Sequence, residues 1–128
     1  MERIVPVLGI DEYDSAVDFY VARLGFAILF EHRHEPGFPV FMALQHGNLV
    51  LSLSEHNRGH SGTELYVYID DVGQWHRRCQ SVNITPEHEP RQMPWGNTEM
   101  LVKDPFRNTL RFTQKTTHLG HSTPHNPT

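Results

Sequence analysis

Residues 4–54 carry an order of segments that residues 64–113 repeat: strand, helix, strand, hairpin, strand. Leu24-Gly25-Phe26 in the first half is answered by Ser81-Val82-Asn83 in the second. A doubled βαβββ pattern confines the chain to an α+β architecture in which paired modules build a curled mixed sheet around a cup, and the side chains lining that cup decide what it does.

The segments are read from periodicity and punctuation. Residues 4–10 are apolar with an early proline, as suits an edge or entry strand. Acidic residues 11–14 offer N-caps, and Tyr13, Ala16, Val17, Tyr20 and Leu24 then recur at helical spacing. Gly25 is placed to stop that helix in a left-handed cap. Residues 26–34, 40–44 and 49–54 read as strands, the last two joined by a His46-Gly47-Asn48 turn. Residues 55–63 lack periodicity and form the expected linker. Beyond it come a strand at 65–69, a helix capped by Asp70 and Asp71 with Val72, Trp75, Cys79 and Val82 on one face, and a resumed sheet near Ile84. Pro86, Pro90 and Pro94 make the next stretch an irregular loop or interrupted edge strand, and residues 99–102 and 109–113 complete the second module.

At 128 residues the chain is one domain's worth, long enough to bury a core without disulfides. That domain is expected over residues 1–114, with residues 115–128, rich in Thr, Pro and His, as a flexible tail. The lone Cys79 lies on an apolar stripe and reads as a buried, inert thiol. Net charge is −4, with 11 basic residues scattered along the chain, which disfavours nucleic acid as a partner. No apolar run is long enough for a membrane span and no secretory signal is apparent, so a cytoplasmic location is expected. No phosphate loop, nucleophile elbow or Cys-x-x-Cys is present.

Val17-Asp18-Phe19-Tyr20, Leu24-Gly25-Phe26, the Asp70-Asp71 helix start, Val102-Lys103-Asp104-Pro105 and Asn108 occur in an order and at separations that resemble the vicinal oxygen chelate superfamily. Within it the chain is most similar to the bleomycin resistance proteins and the small glyoxalase-like proteins. The resemblance covers roughly residues 4–114. It implies a homodimer with clefts near the subunit interface, and, in the enzymes of the superfamily, a divalent metal held by His and Glu on four inward-facing strand positions. In this sequence those positions fall at Val5, Ser52, Glu64 and Arg111. Only Glu64 is a competent ligand, and Arg111 sets a fixed cation where the metal belongs. Glu64 and Arg111 are instead expected to face one another across the cup as an ion pair.

That substitution pattern matches the resistance branch, whose members withhold a drug without catalysis. Such a drug is a cationic glycopeptide with flat heteroaromatic rings. The expected cleft therefore draws on Phe38, Phe41, Tyr66, Tyr68 and Trp95 for aromatic faces and on Ser52, Glu64, Glu99 and Arg111 for polar contacts. Catalytic residues and metal cofactor are expected to be absent. The alternative is a metal-dependent lyase, isomerase or dioxygenase using a displaced site built from His32, His34, His56 and Glu64. His32 and His34, at i and i+2, share a face if both lie in a strand. Their setting, Glu31-His32-Arg33-His34-Glu35 with Leu53-Ser54-Glu55-His56, equally fits strand-end residues or a polar interface network. His60 and His76 have no partner visible in the sequence.

Overall fold

In the computed structural model the described residues are 2–57 and 62–116; His60 and the stretch 117–128 of the expected tail lie outside them. Each module closes into its own four-stranded mixed sheet. The first contains β1 (Val7–Gly9), β2 (Ala27–His32), β3 (Phe41–His46) and β4 (Leu49–Ser54) in the order β1-β4-β3-β2. The second contains β5 (Glu64–Tyr68), β6 (His88–Gln92), β7 (Thr98–Lys103) and β8 (Thr109–Gln114) in the order β5-β8-β7-β6. The duplication is visible in the register. Val7 lies opposite Ser52 in the parallel β1–β4 pair, and Tyr66 lies opposite Arg111 in the parallel β5–β8 pair.

Helix α1 (Tyr13–Ala16) runs directly into a π-helix, Val17–Arg23, with Leu24 N–H donating to the Phe19 carbonyl at 3.0 Å. The cap is Glu12, whose carboxylate accepts from the backbone of Asp14 and Ser15, and not one of the flanking aspartates. Gly25 ends the helix at φ +91°, where an added Cβ would come within 2.9 Å of the Arg78 guanidinium. In the second module, α2 (Val72–Ser81) is capped by Asp71, which accepts from Gln74 N–H. Here Asn83 adopts φ +60°, so the match to Leu24-Gly25-Phe26 is Val82-Asn83-Ile84, one residue later than the sequence reading. Asparagine tolerates this backbone region where most side chains do not.

Alternation sends Leu8, Met42, Leu44, Leu51 and Leu53 of the first sheet, and Met100, Val102, Leu110 and Phe112 of the second, into one core shared with Ala16, Phe19, Tyr20, Leu24 and Cys79. Each such large side chain contributes about 1.5–3 kcal/mol by leaving water. Burial raises the Cys79 thiol pKa, opposed slightly by Arg78, as an inert core thiol requires. The Asp104-Pro105 turn ties the modules together. Asp104 accepts from the backbone of Phe106 and Asn108 and from the Tyr20 hydroxyl, while Asn108 Nδ2 donates to Gly9 O at 3.0 Å.

Three expectations are corrected. Ile84 belongs to no strand, whereas the proline-rich stretch beyond it takes the second of its two expected forms, an interrupted edge strand, β6, in which Pro90 is accommodated at a register shift between His88 and Arg91. The linker opens with a 3-10 turn, Glu55–Asn57, and Glu55 is buried because its carboxylate accepts from Val40 N–H at 2.8 Å. Residues 4–6 precede β1 and leave Val5 outside any strand. Among the described residues no helix is long and apolar enough to cross a membrane.

Candidate functional site

The core-averted face of the second sheet collects most of the polar and aromatic candidates. On β5 the alternation that packs the partly buried Leu65 and Val67 against the core turns Glu64, Tyr66 and Tyr68 outward, and β8 sets Arg111 opposite Tyr66 and the buried Thr113 opposite Tyr68. Arg111 is the hub. Its Nε and Nη2 reach Glu64 Oε2 at 2.9 and 2.5 Å, its Nη1 reaches Glu99 Oε1 at 3.0 Å, and its guanidinium carbon stands 5.3 Å from the Tyr66 ring centroid. Partial burial works against the charged guanidinium, but the hydrogen bonds it donates to Glu64 and Glu99 outweigh this and raise the Arg111 pKa. The expected Glu64–Arg111 ion pair is present, between neighbouring strands of one sheet and not across a cup.

Glu99 differs from Glu64. It is 0% exposed, whereas the Glu64 side chain is 47% exposed. The second oxygen of Glu99 accepts Trp95 Nε1–H at 3.0 Å, which pulls the indole of the Pro94-Trp95-Gly96 turn over the sheet. Tyr66 and Tyr68 stack nearly parallel, with centroids 6.0 Å apart and planes at 15°. Lys115 lies 5.1 Å from the Tyr68 ring at the far end of the row. Between these groups is an open cavity of about 350 Å³ lined by Tyr66, Tyr68, Trp95, Asn97 and Glu99. Its three rings remain about half exposed, at 53% for Tyr66, 49% for Tyr68 and 58% for Trp95.

The remaining candidates lie elsewhere. Ser52 and Phe41 are on the first sheet, Ser52 buried opposite Ala43 and Phe41 beside Phe30 at 6.1 Å. Phe38 sits exposed on the loop after β2, against the His34 ring at 5.6 Å. The histidine alternative is not assembled. His34 lies past the end of β2, His32, His34 and His56 are all exposed, and among the described residues no three His, Cys, Asp or Glu side chains are placed to hold a metal. The Glu31–Glu55 pattern has a structural explanation instead. Tyr13 donates to Glu31 at 2.7 Å, and Arg33 bonds the Phe38 carbonyl, approaches Glu55 at 3.6 Å and lies over the Tyr13 ring.

The four positions implied for a chelated metal do not fit one. Val5 has no donor, Ser52 is a buried neutral hydroxyl, Glu64 is bound by Arg111, and Arg111 is itself a cation. At an effective dielectric near 20, a divalent ion about 4 Å from a guanidinium meets a repulsion of about 8 kcal/mol. What the face offers is apolar ring surface, one exposed carboxylate and fixed hydrogen-bonding groups, which suits holding an organic molecule.

The family described as glyoxalase superfamily protein matches residues 1–118. Among solved structures, a bleomycin-binding protein complexed with bleomycin is 30% identical, with 91% of this chain and 100% of that one covered and a TM-score of 0.73. A bleomycin resistance determinant encoded on the transposon Tn5 is also 30% identical over 91% of this chain and 100% of that one, with a TM-score of 0.76. A lactoylglutathione lyase from Agrobacterium tumefaciens shares the fold at 20% identity, with 89% and 94% of the chains covered and a TM-score of 0.69. A search of curated proteins gives no match.

Proposed function

This chain belongs to the glyoxalase superfamily, and from that membership and the open aromatic face of its second sheet we propose that it binds and sequesters a drug-sized cationic molecule with flat rings, without turning it over. Bleomycin-class antibiotics are the reference ligands, and withholding such a drug in the cytoplasm is the proposed role. The carrying observation is the hub at Arg111: a guanidinium clamped by two carboxylates occupies the expected chelating position, and exposed rings border the space above it. Flat rings gain stacking and apolar burial against Tyr66, Tyr68 and Trp95, and a ligand cation gains from Glu64 and the ring faces. Lys115 at the opposite end gives the face a polarity that orients the guest. No metal takes part in this reading. A second copy of the chain closes the cleft in this proposal, with the exposed Phe38 and the partly exposed Phe41 of the first module available to border it, whereas Ser52 is buried.

Isothermal titration of metal-stripped protein with metal-free bleomycin tests this. About one drug per chain should bind with affinity unchanged by a chelator, and Trp95→Ala or Tyr66→Ala should weaken binding about tenfold or more, as loss of a buried aromatic anchor does. Absence of binding, or a lyase or dioxygenase activity that appears on adding a stoichiometric divalent ion, would overturn the proposal.

A further inference from the structure

We propose that Glu99 is the positioning residue of this face: both oxygens of its carboxylate are taken up in fixing Trp95 and Arg111 around the cavity. Only the consequence for affinity rests on the binding function above. Trp95 is 58% exposed on a three-residue turn, so packing alone leaves its rotamer weakly determined. A bond from its Nε1–H to an ionised carboxylate at 3.0 Å is charge-assisted and shorter-ranged in its tolerance than any apolar contact there, so it sets the plane of the ring.

The same carboxylate holds the other side of the cleft. Glu99 Oε1 accepts Arg111 Nη1 at 3.0 Å, and Arg111 in turn lies against the Tyr66 ring. A buried carboxylate is stable only when donors satisfy it, and Glu99 meets that condition with one donor from the turn at 94–96 and one from β8. Trp95, the wall, and Tyr66, the floor, are thereby held by a single group. Glu99 borders the cavity with both carboxylate oxygens engaged and 0% of its surface exposed, whereas the Glu64 side chain, 47% exposed, is the carboxylate with surface left to contact a guest.

The chain has two tryptophans and hence two indole N–H signals, from Trp75 and Trp95, assignable with Trp95→Phe. In nitrogen–proton correlation spectra of the ligand-free protein, the Trp95 indole proton should lie downfield of a solvent-exposed indole and exchange with water about tenfold or more slowly. Glu99→Gln should move that signal to the exposed position and remove the protection while the Trp75 signal stays in place. The amide offers one acceptor and sets its NH2 against the other donor. In the same variant, affinity for bleomycin should fall about tenfold or more. If Glu99→Gln fails to fold, exchange of the wild-type indole decides the matter alone. A Trp95 indole that exchanges as freely as tryptophan in water, or a signal and an affinity both unmoved by Glu99→Gln, would overturn the assignment. Failure of the wild type to bind bleomycin would remove the binding function and leave the indole result standing.

Discussion

At the scale of single residues, the fold is fixed by polar atoms whose partners are distant in sequence. Tyr20 lies on the apolar stripe of the first helix and is fully buried, yet its hydroxyl donates to Asp104 Oδ2 at 2.7 Å. Burial, then the Asp104 charge and the hydrogen bond, push its pKa well above that of an ordinary tyrosine. The folded state therefore holds the proton more tightly than the unfolded chain. This contribution is fully present below the unfolded value of about 10 and is lost as pH rises through the folded value. Urea unfolding at a series of alkaline pH values should show stability falling above about pH 10. Tyr20→Phe should shrink that alkaline loss and cost about 1–2 kcal/mol at neutral pH, because Asp104 loses a donor. Indistinguishable alkaline profiles for the two proteins would refute the linkage. The stripe that places Tyr20 inside was legible from spacing; the bond to Asp104 was not, since nothing local relates residues 20 and 104.

Elements follow the same division. Strands and helices with clean periods are readable, because burial of one face imposes the period, and β4 at Leu49–Ser54 matches its sequence reading residue for residue. β6 was legible only as one of two readings, irregular loop or interrupted edge strand, because Pro90 violates strand chemistry everywhere except at an edge or a bulge, and edge position is a property of the finished sheet. At the candidate site, Glu64 and Arg111 were reached through the family resemblance, by counting from its motifs, and Tyr66 and Tyr68 by residue type, with the alternation of β5 then placing them on one face. The Trp95–Glu99 bond was not, because it depends on the turn at 94–96 folding back over the sheet. Phe38 and Phe41 were grouped with them by residue type alone, while topology puts both in the other module. The loop that carries Phe38 is itself anchored from afar, Glu55 Oε1 accepting from Val40 N–H and lying 3.6 Å from Arg33. Glu55→Ala should leave the Val40 amide without its acceptor and speed its hydrogen exchange about tenfold or more, with the amides of β7 and β8 unaffected. Equal exchange at Val40 in both proteins would mean that the loop is held by something else.

For the molecule as a whole, the unresolved physical demand is an apolar edge. β2 is the outer strand of the first sheet, every one of its residues is exposed, and Ile28, Leu29 and Phe30 are 36%, 48% and 51% exposed, with Val7 at 42% on the opposite edge strand. A long apolar edge strand left open templates aggregation, and proteins blunt such edges with charge, proline or cover. Glu31 is the only charge in β2, and it is engaged by Tyr13. β2 also shifts register against β3 between Ile28 and Phe30, an irregularity that bends an edge but leaves these apolar side chains exposed; they and the half-exposed rings of the second sheet call for cover. A second copy, as proposed above, would meet both needs with one symmetric interface. Sedimentation at micromolar concentration should therefore give a dimer, and Leu29→Lys with Phe30→Glu should shift it to monomer without loss of the folded circular-dichroism signal. Because the cleft is proposed to be completed by the partner copy, the same double variant should lose bleomycin affinity although it alters no residue of the second sheet. A wild-type monomer that stays soluble would break the argument from the apolar edge, and a monomeric variant that binds the drug at full strength would show that one chain suffices for the cleft.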